Sequence, residues 1–214
     1  MDSNNTPEII KPKDIEKRSF EIITEELIKQ NISIPEDKAF VIKRAIHTTA
    51  DFDYAKTLFF SDNAIKKAQD LIRQGADIVT DTNMALSGIN KNKLASYGGE
   101  VHCFMADPEV AAVATMREST RASVSMERAT QIDKPVIFAI GNAPTALITL
   151  RQMYDDGIYN PAFVIGVPVG FVNVEVAKEL IIDTDIPCIV NRGRKGGSNV
   201  AAAICNALLY NMGD

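Results

Sequence analysis

Three times in its C-terminal half, the chain runs from a short apolar segment through a glycine-bearing loop into a stretch with helical spacing. The apolar segments and their loops span residues 136–145, 163–171 and 188–198. Apolar runs of this length, bounded by Gly and Pro and followed by helices, are typical of βα units in a parallel sheet. Ligands of open parallel sheets bind beyond the carboxyl ends of the strands. The pattern therefore predicts an α/β fold and the edge of the sheet at which a site would lie.

Upstream of these units, the spacing of apolar residues predicts further helices and two strands. The predicted helices are residues 13–29, a helix that begins at Pro35, residues 64–74 and a helix from Asp107 to Ala129, and the predicted strands are residues 76–81 and 101–105. We expect an α/β fold with a mostly parallel sheet of about five strands and helices on both faces, preceded by an N-terminal helical segment. Residues 1–12 are predicted to be a loose arm and residues 13–214 a single domain.

Composition excludes several classes of protein. The net charge of −5 argues against nucleic-acid binding, which depends on neutralising phosphates. We expect no membrane segment, because no apolar stretch reaches the ~18 residues that a spanning helix needs. The polar N-terminus does not resemble a signal peptide, so a cytoplasmic protein is expected. The cysteines are three in number and far apart, so no metal site is predicted.

His47 is the strongest candidate for acid–base chemistry. It lies near the C-terminal end of the second predicted helix, and Arg44 shares its helix face. An imidazole is the side chain best suited to exchange a proton near neutral pH. The alternative is a surface or capping histidine. His102 alternates with apolar residues in a predicted strand and is interpreted as structural.

Two loops at strand ends are candidates for binding. The loop at residues 192–198 combines cations with the free amides of a helix N-terminus, which suits carboxylates or phosphates, although it could also be a solvated basic turn. The loop at residues 141–145 has polar groups at a helix start, and its alternative is pure capping. Arg121 and Arg117 are predicted to share one face of the long helix. Neither a phosphate-binding loop nor a dinucleotide-binding glycine motif is present.

Taken together, these segments resemble the precorrin-8X / cobalt-precorrin-8 methylmutase family of cobalamin biosynthesis. The residues that carry the resemblance are Arg18–Phe20, His47, Gly141–Leu147, Gly166–Phe171 and Arg192–Ser198. It extends from about Lys13 to about Leu209, and the order and spacing of the five segments make it specific.

The resemblance implies an isomerase that moves a methyl group from C-11 to C-12 of the macrocycle in a [1,5]-sigmatropic shift. The product would be hydrogenobyrinate or cobyrinate, and no cofactor is consumed. His47 inherits the role of proton donor and acceptor, and Ser19 and Arg44 fall on substrate-contacting positions. The resemblance also implies a homodimer with its sites near the subunit boundary. Hand-over of the corrinoid to neighbouring pathway enzymes is a further hypothesis.

The expected substrate is a flat apolar ring that carries several carboxylates. Such a ligand requires an apolar slot with cations and backbone N–H groups around it. The residues predicted to bind it are Ser19, Arg44, Arg121, Asn142, Thr145, Arg192, Arg194, Gly196 and Ser198. Two alternatives remain open at this point: a tetrapyrrole-binding carrier without catalysis, and a nucleotide or phosphate-ester enzyme that uses the loop at residues 192–198.

Overall fold

The computed structural model describes residues 9–213, and within them the strands form one sheet. The strands are β1 (Leu58–Phe60), β2 (Asp77–Thr80), β3 (Val101–His102), β4 (Val136–Ile140), β5 (Phe163–Gly166) and β6 (Cys188–Asn191). Their order in the sheet is β1-β6-β5-β4-β2-β3. Only β1 is antiparallel to its neighbour, so the prediction of a mostly parallel sheet is confirmed.

Helices precede the sheet in the chain and connect its strands. They are α1 (Ile15–Lys29), α2 (Ala39–Thr49), α3 (Tyr54–Thr57), α4 (Ala64–Arg73), α5 (Asn83–Gly88), α6 (Lys91–Ala95), α7 (Pro108–Met116), α8 (Arg121–Ala129), α9 (Pro144–Asp155), α10 (Val174–Ile182) and α11 (Ser198–Tyr210). Short 3₁₀ turns, Pro12–Asp14 and Glu36–Lys38, precede α1 and α2. The predicted N-terminal helical segment is therefore confirmed.

The two faces of the sheet carry separate hydrophobic cores. In β4, Phe138 packs into one core, whereas its neighbours Ile137 and Ala139 pack into the other. This alternation is what the two-residue period of a strand requires when both of its faces are covered. Helices α8, α9 and α10 cover the first face, and α1, α2, α4, α5 and α11 cover the second. The expected layers of helices on both faces are thus present.

The chain changes direction across the sheet at β2. After β2 the chain adds β3 on one side, and it then crosses over β2 to add β4 on the other side. Such a switch point leaves a crevice at the carboxyl ends of the two strands. The loops that follow β2 and β4 therefore meet at the place where a ligand site is expected.

The prediction of about five strands did not include β1, and it made β3 too long. Strand β1 has only three residues and pairs antiparallel with β6 at the sheet edge. It follows α3 directly, so its apolar residues are hard to separate from a helix by periodicity. Strand β3 was predicted over residues 101–105 but ends at His102.

The prediction of one long helix from Asp107 to Ala129 is wrong. The chain forms α7 and α8, and between them Glu118 has a left-handed φ of 50°. Thr120 then begins α8, because its Oγ1 accepts the N–H of Ser123 at 3.1 Å. Arg117 consequently lies just after α7 and outside α8, so the two arginines predicted to share a helix face do not lie on one helix.

The predicted N-terminal arm falls mostly outside the described residues. Ile9 is the first residue described and is almost fully exposed. The division into an arm and a single domain from residue 13 remains a prediction. Over residues 9–213, none of the helices is long and apolar enough to cross a bilayer.

Candidate functional site

A stack of His47 on Phe20 joins α1 to the C-terminal half of α2, and Arg44 contacts the same ring. The centroid of the Phe20 ring is 5.3 Å from that of the imidazole and 4.8 Å from the guanidinium carbon of Arg44. Arg44 is half-buried and paired with the exposed carboxylate of Glu16, whereas His47 is exposed. Ser19 precedes Phe20 on α1 and is half-buried. Three of the predicted site residues, Ser19, Arg44 and His47, are therefore close together.

Beside this stack, a groove of about 580 Å³ runs between α2, α5 and α11. Arg44 and Thr48 line its α2 side, and Met84 and Ala203 supply apolar surface. Tyr210 lines the groove too, and its ring centroid is 5.9 Å from the guanidinium carbon of Arg44. The groove thus combines an apolar wall with a cation, as a polycarboxylate ring requires. His47 is not among the residues that line it.

The end of α2 is tied to the basic loop that follows β6. The Lys195 ammonium lies 2.5 Å from Oδ2 of Asp51 and 2.6 Å from Oδ2 of Asp53, both just after α2. The hydrogen bond from Lys195 lowers the pKa of the Asp51 carboxyl. Sequence analysis did not predict these ion pairs, because nothing in the pattern shows that the two segments meet.

At the switch point, the buried carboxylate of Asp81 holds the loop after β4. It accepts the N–H of Gly141 at 2.9 Å, that of Asn142 at 2.7 Å and that of Ala143 at 2.6 Å. Burial raises the pKa of the Asp81 carboxyl, and these three donors oppose that shift. The predicted binding residue Asn142 is exposed, and Asp81 fixes its backbone. Sequence reasoning missed Asp81, although an acidic residue that ends an apolar strand is the kind of signal that marks it.

The loop after β6 packs tightly against this same point. Ser198 is buried, and its Oγ lies 2.7 Å from Oγ1 of Thr82, which follows β2. A Cβ at Gly141 would lie 2.6 Å from Cα of Ser198, and one at Gly196 would lie 2.1 Å from the carbonyl oxygen of Val167. Glycine is therefore required at both positions, because the loops approach each other by their backbones. Of the predicted residues, Ser198 therefore lies against Gly141, next to Asn142, and Gly196 lies against the end of β5.

Arg121 lies close to Thr145 at this end of the sheet. Thr120, the residue before it, donates its Oγ1 proton to Oγ1 of Thr145 at 3.0 Å. Arg121 is exposed, and no carboxylate among residues 9–213 forms an ion pair with it. By contrast, Arg44, Arg192 and Arg194 each have a carboxylate partner. A ligand carboxylate that pairs with Arg121 therefore displaces no carboxylate of residues 9–213.

Arg192 and Arg194 point away from His47. Arg194 Nε lies 2.7 Å from Oε1 of Glu175, and Arg192 Nη1 lies 3.5 Å from Oε2 of Glu179. Both carboxylates belong to α10, which covers the opposite face of the sheet from α2. Within one chain, the arginines predicted to surround the ligand therefore do not lie together: Arg192 and Arg194 pair with α10, whereas Arg44 lies on α2.

The second histidine lies at the opposite, amino edge of the sheet. His102 Nε2 is 3.0 Å from Oδ2 of the buried Asp77, as expected of a structural histidine. Asp77 also binds the ammonium of Lys134 at 3.1 Å. No cluster of three or more His, Cys, Asp or Glu side chains suited to a metal ion occurs in the part of the chain that the structure describes.

Comparisons with known proteins agree on one family. The family model described as precorrin-8X methylmutase matches residues 14–211. The cobalt-precorrin-8 methylmutase of Salmonella typhimurium is 43% identical over 210 residues, covering 95% of this chain and 97% of that protein. The precorrin-8X methylmutase of a Sinorhizobium species is 33% identical and covers 91% of this chain and 92% of its own length.

Solved structures agree with the sequence comparisons. The crystal structure of the precorrin-8X methylmutase of Thermus thermophilus superposes with a TM-score of 0.83 at 35% identity. The match covers 93% of this chain and 97% of that one. The similarity therefore extends over the helical N-terminal part, the sheet and the loops at its carboxyl edge.

Proposed function

The chain belongs to the precorrin-8X methylmutase family, and we propose that it uses His47 to isomerise a corrinoid polycarboxylate. It is an isomerase of cobalamin biosynthesis. The reaction moves a methyl group from C-11 to C-12 of precorrin-8X or cobalt-precorrin-8. Product and substrate have the same composition, so the step balances without an oxidant, a reductant or a methyl donor.

The observation that carries the proposal is the stack of His47 on Phe20 beside the groove lined by Arg44. The aromatic ring holds the plane of an exposed imidazole, and within residues 9–213 neither of its nitrogens forms a hydrogen bond, so both are available to a substrate. His47 donates a proton to the ring that carries the migrating methyl group and accepts it again after the shift. General acid catalysis of this kind contributes about 10²–10⁴-fold.

Binding of the substrate carboxylates in fixed positions supplies the rest of the rate enhancement. Arg44 lines the groove beside His47, Arg121 lies at the carboxyl edge of the sheet, and Ser19, Asn142, Thr145, Gly196 and Ser198 supply hydrogen-bonding groups. The partner of Arg44 is a carboxylate whose side chain is 59% exposed. An ion pair so accessible to solvent is weak, so a substrate carboxylate can replace Glu16 at little cost.

We further propose that the enzyme works as a homodimer with its sites near the subunit boundary. Two features support this. His47 is exposed in a single chain, and Met84 in the adjacent groove is 69% exposed. A second copy covering this surface would exclude water from the imidazole and strengthen its electrostatic contacts. It is also a source of the cations, such as Arg192 and Arg194, that point away from His47 within one chain. A cytoplasmic location and hand-over of the product to the next enzyme are consistent with the proposal.

The test is incubation of the purified protein with precorrin-8X or its cobalt form. The visible spectrum should change while the mass of the corrinoid stays the same. His47→Ala should lose turnover and remain folded, because the side chain is exposed. His102→Gln is the matched control: it removes the other imidazole, at the far edge of the sheet, and should keep turnover. Tight binding without conversion would instead favour a carrier, and full activity in His47→Ala would remove that residue from the mechanism.

A further inference from the structure

In the loop between β6 and α11, three consecutive carbonyl groups point towards the rest of the protein. The carbonyl of Gly193 accepts from the Lys178 ammonium at 2.7 Å, and that of Lys195 accepts from the same ammonium at 2.9 Å. The carbonyl between them, of Arg194, accepts the N–H of Gly170 at 3.2 Å. The Lys195 carbonyl also accepts from Nδ2 of Asn191 at 2.9 Å. The backbone of the loop is therefore held from its inner side.

The amide groups of the same peptides face outward. In a trans peptide the N–H points opposite to the C=O, so inward carbonyls at residues 193–195 turn outward the N–H groups of Arg194, Lys195 and Gly196. Within residues 9–213, none of these three N–H groups has a protein acceptor. Successive N–H groups that point the same way form a concave site for an anionic oxygen.

Lys178 is the group on which this arrangement rests. It lies in the middle of α10, its side chain has no exposed surface, and its ammonium bonds to carbonyl groups instead of a carboxylate. Burying an ammonium costs free energy unless it is well bonded. A methionine or leucine would fill the same space without that cost, so stability alone does not explain a lysine here.

We propose that Lys178 is a positioning residue of the substrate site, which holds the loop so that the amides of Arg194, Lys195 and Gly196 bind a carboxylate of the corrinoid. The inference rests on the proposed function, since the carboxylate belongs to that substrate. Lys178 does not touch the substrate: it acts through the loop. Its loss should therefore weaken binding far more than it slows the chemical step.

Burial lowers the pKa of the Lys178 ammonium to about 8, and Glu175 on the same helix opposes the shift. The charged and titratable groups on the elements around it are Glu175 and Glu179 on α10, Arg151, Tyr154 and Asp155 on α9, Cys188 on β6, and Arg192, Arg194 and Lys195 on the loop. Burial raises the pKa of the Cys188 thiol to about 11, so this thiol stays neutral near pH 8. Lys178 is therefore the group of this cluster whose pKa is moved close to neutral pH.

The first experiment compares the steady-state kinetics of the wild type and Lys178→Met. We expect KM for the corrinoid to rise about tenfold and kcat to change less than about threefold, because charge-assisted hydrogen bonds order the binding loop. Lys134→Met is the matched control: this lysine also bonds to a carbonyl, of Gly98 at 2.9 Å, but at the amino edge of the sheet. It should leave KM unchanged. A wild-type KM in Lys178→Met would overturn the proposal.

The second experiment follows the affinity for hydrogenobyrinate by absorbance titration as the pH is raised. The wild type should bind more weakly above about pH 8, and Lys178→Met should lack this step. Lys178→Arg should bind as the wild type does at neutral pH and keep its affinity at alkaline pH, since a guanidinium stays charged. Unfolding is not an alternative cause: the unfolded chain binds more protons at this lysine between about pH 8 and about pH 10, so the stability contributed by the group rises over that range.

The third experiment needs neither ligand nor turnover. In amide NMR spectra of the wild type, the signals of Arg194, Lys195 and Gly196 should shift together with a midpoint near pH 8, and in Lys178→Met this shared transition should be lost. If these amide signals do not shift with pH in the wild type, Lys178 does not control the loop. If the signals shift but the protein binds the corrinoid equally well at all pH values, the loop has no role in binding and the proposal is overturned. Absence of turnover in the wild type would overturn the proposed function alone.

Discussion

The imidazole of His47 stacks on the phenyl ring of Phe20, with the ring centroids 5.3 Å apart and the planes 11° from parallel. The stack joins α2 to α1, so the orientation of the proposed proton donor depends on a residue of a different helix. Arg44 contacts the same ring from its own position on α2, with its guanidinium carbon 4.8 Å from the centroid. One aromatic side chain therefore positions both the acid–base group and a cation of the substrate site.

Phe20→Ala should reduce kcat by about three- to tenfold, because stacked aromatic pairs contribute about 0.5–1.5 kcal/mol beyond the area that they bury. Without the ring, the exposed imidazole samples more orientations. Single-turnover kinetics with a saturating corrinoid measure the loss directly. Phe20→Tyr is the matched control, since it keeps the ring face, and it should retain most of the activity. Equal rates in the wild type and Phe20→Ala would show that the stack does not orient His47.

Glu16→Gln should lower KM for the corrinoid, whereas Arg44→Met should raise it. The carboxylate of Glu16 pairs with the guanidinium of Arg44 at the groove. Removing the charge of Glu16 therefore leaves the guanidinium available to a substrate carboxylate. We expect a change of about two- to fourfold in Glu16→Gln and about tenfold or more in Arg44→Met. Glu26→Gln, which removes a carboxylate that pairs with Lys29 on the same helix, is the control and should leave KM unchanged. The idea fails if Glu16→Gln weakens binding.

Asp81→Asn should destabilise the fold by about 2 kcal/mol, because a buried amide cannot accept the three N–H groups that the carboxylate now accepts. The side-chain NH₂ group would face another donor, and one N–H of the loop would lose its partner. Urea denaturation measures the change in the free energy of unfolding. Asp62→Asn removes a carboxylate from the α4 side of the molecule and is the control, with no more than a few tenths of a kcal/mol expected. Equal midpoints for Asp81→Asn and the wild type would contradict the role of this carboxylate.

Apolar runs bounded by Gly and Pro predicted the βα units from β4 to α11, because strands buried on both faces must be apolar throughout. Elements too short to show a period were missed. Strand β1 has three residues, and α5 and α6 have six and five. The break before α8 depends on the cap of Thr120, a local signal within a segment whose composition suits a helix.

The position of His47 at the end of α2 could be predicted from spacing, but its surroundings could not. Phe20, Asp81 and the Asp51–Lys195 pair are brought to the site by tertiary packing between distant parts of the chain. Periodicity reports which face of an element is buried, and it does not report which element lies against that face. The opposite directions of Arg192 and His47 follow from α10 and α2 lying on different faces, which only the topology of the sheet determines.

Asp77 should make the stability of the fold dependent on acid pH. Burial of its carboxyl opposes ionisation, but hydrogen bonds from His102, the N–H of Glu100 and Lys134 outweigh that effect and lower the pKa of Asp77 below its usual 3.8. As the pH falls, the unfolded chain therefore takes up a proton at this carboxyl before the folded protein does. The stability that Asp77 contributes is present above about pH 5 and is lost as the pH falls through the pKa of the folded protein.

Urea denaturation of the wild type and Asp77→Asn at a series of pH values tests this dependence. The free energy of unfolding of the wild type should fall more steeply below about pH 5 than that of Asp77→Asn, so the two curves should converge in acid. Asp70→Asn is the control: hydrogen bonding to Lys66 lowers the pKa of Asp70 as well, but the pair is exposed, and solvent screening should make the change much smaller. Curves for the wild type and Asp77→Asn that stay parallel down to the acid limit would show that the contacts of Asp77 do not favour its charged form.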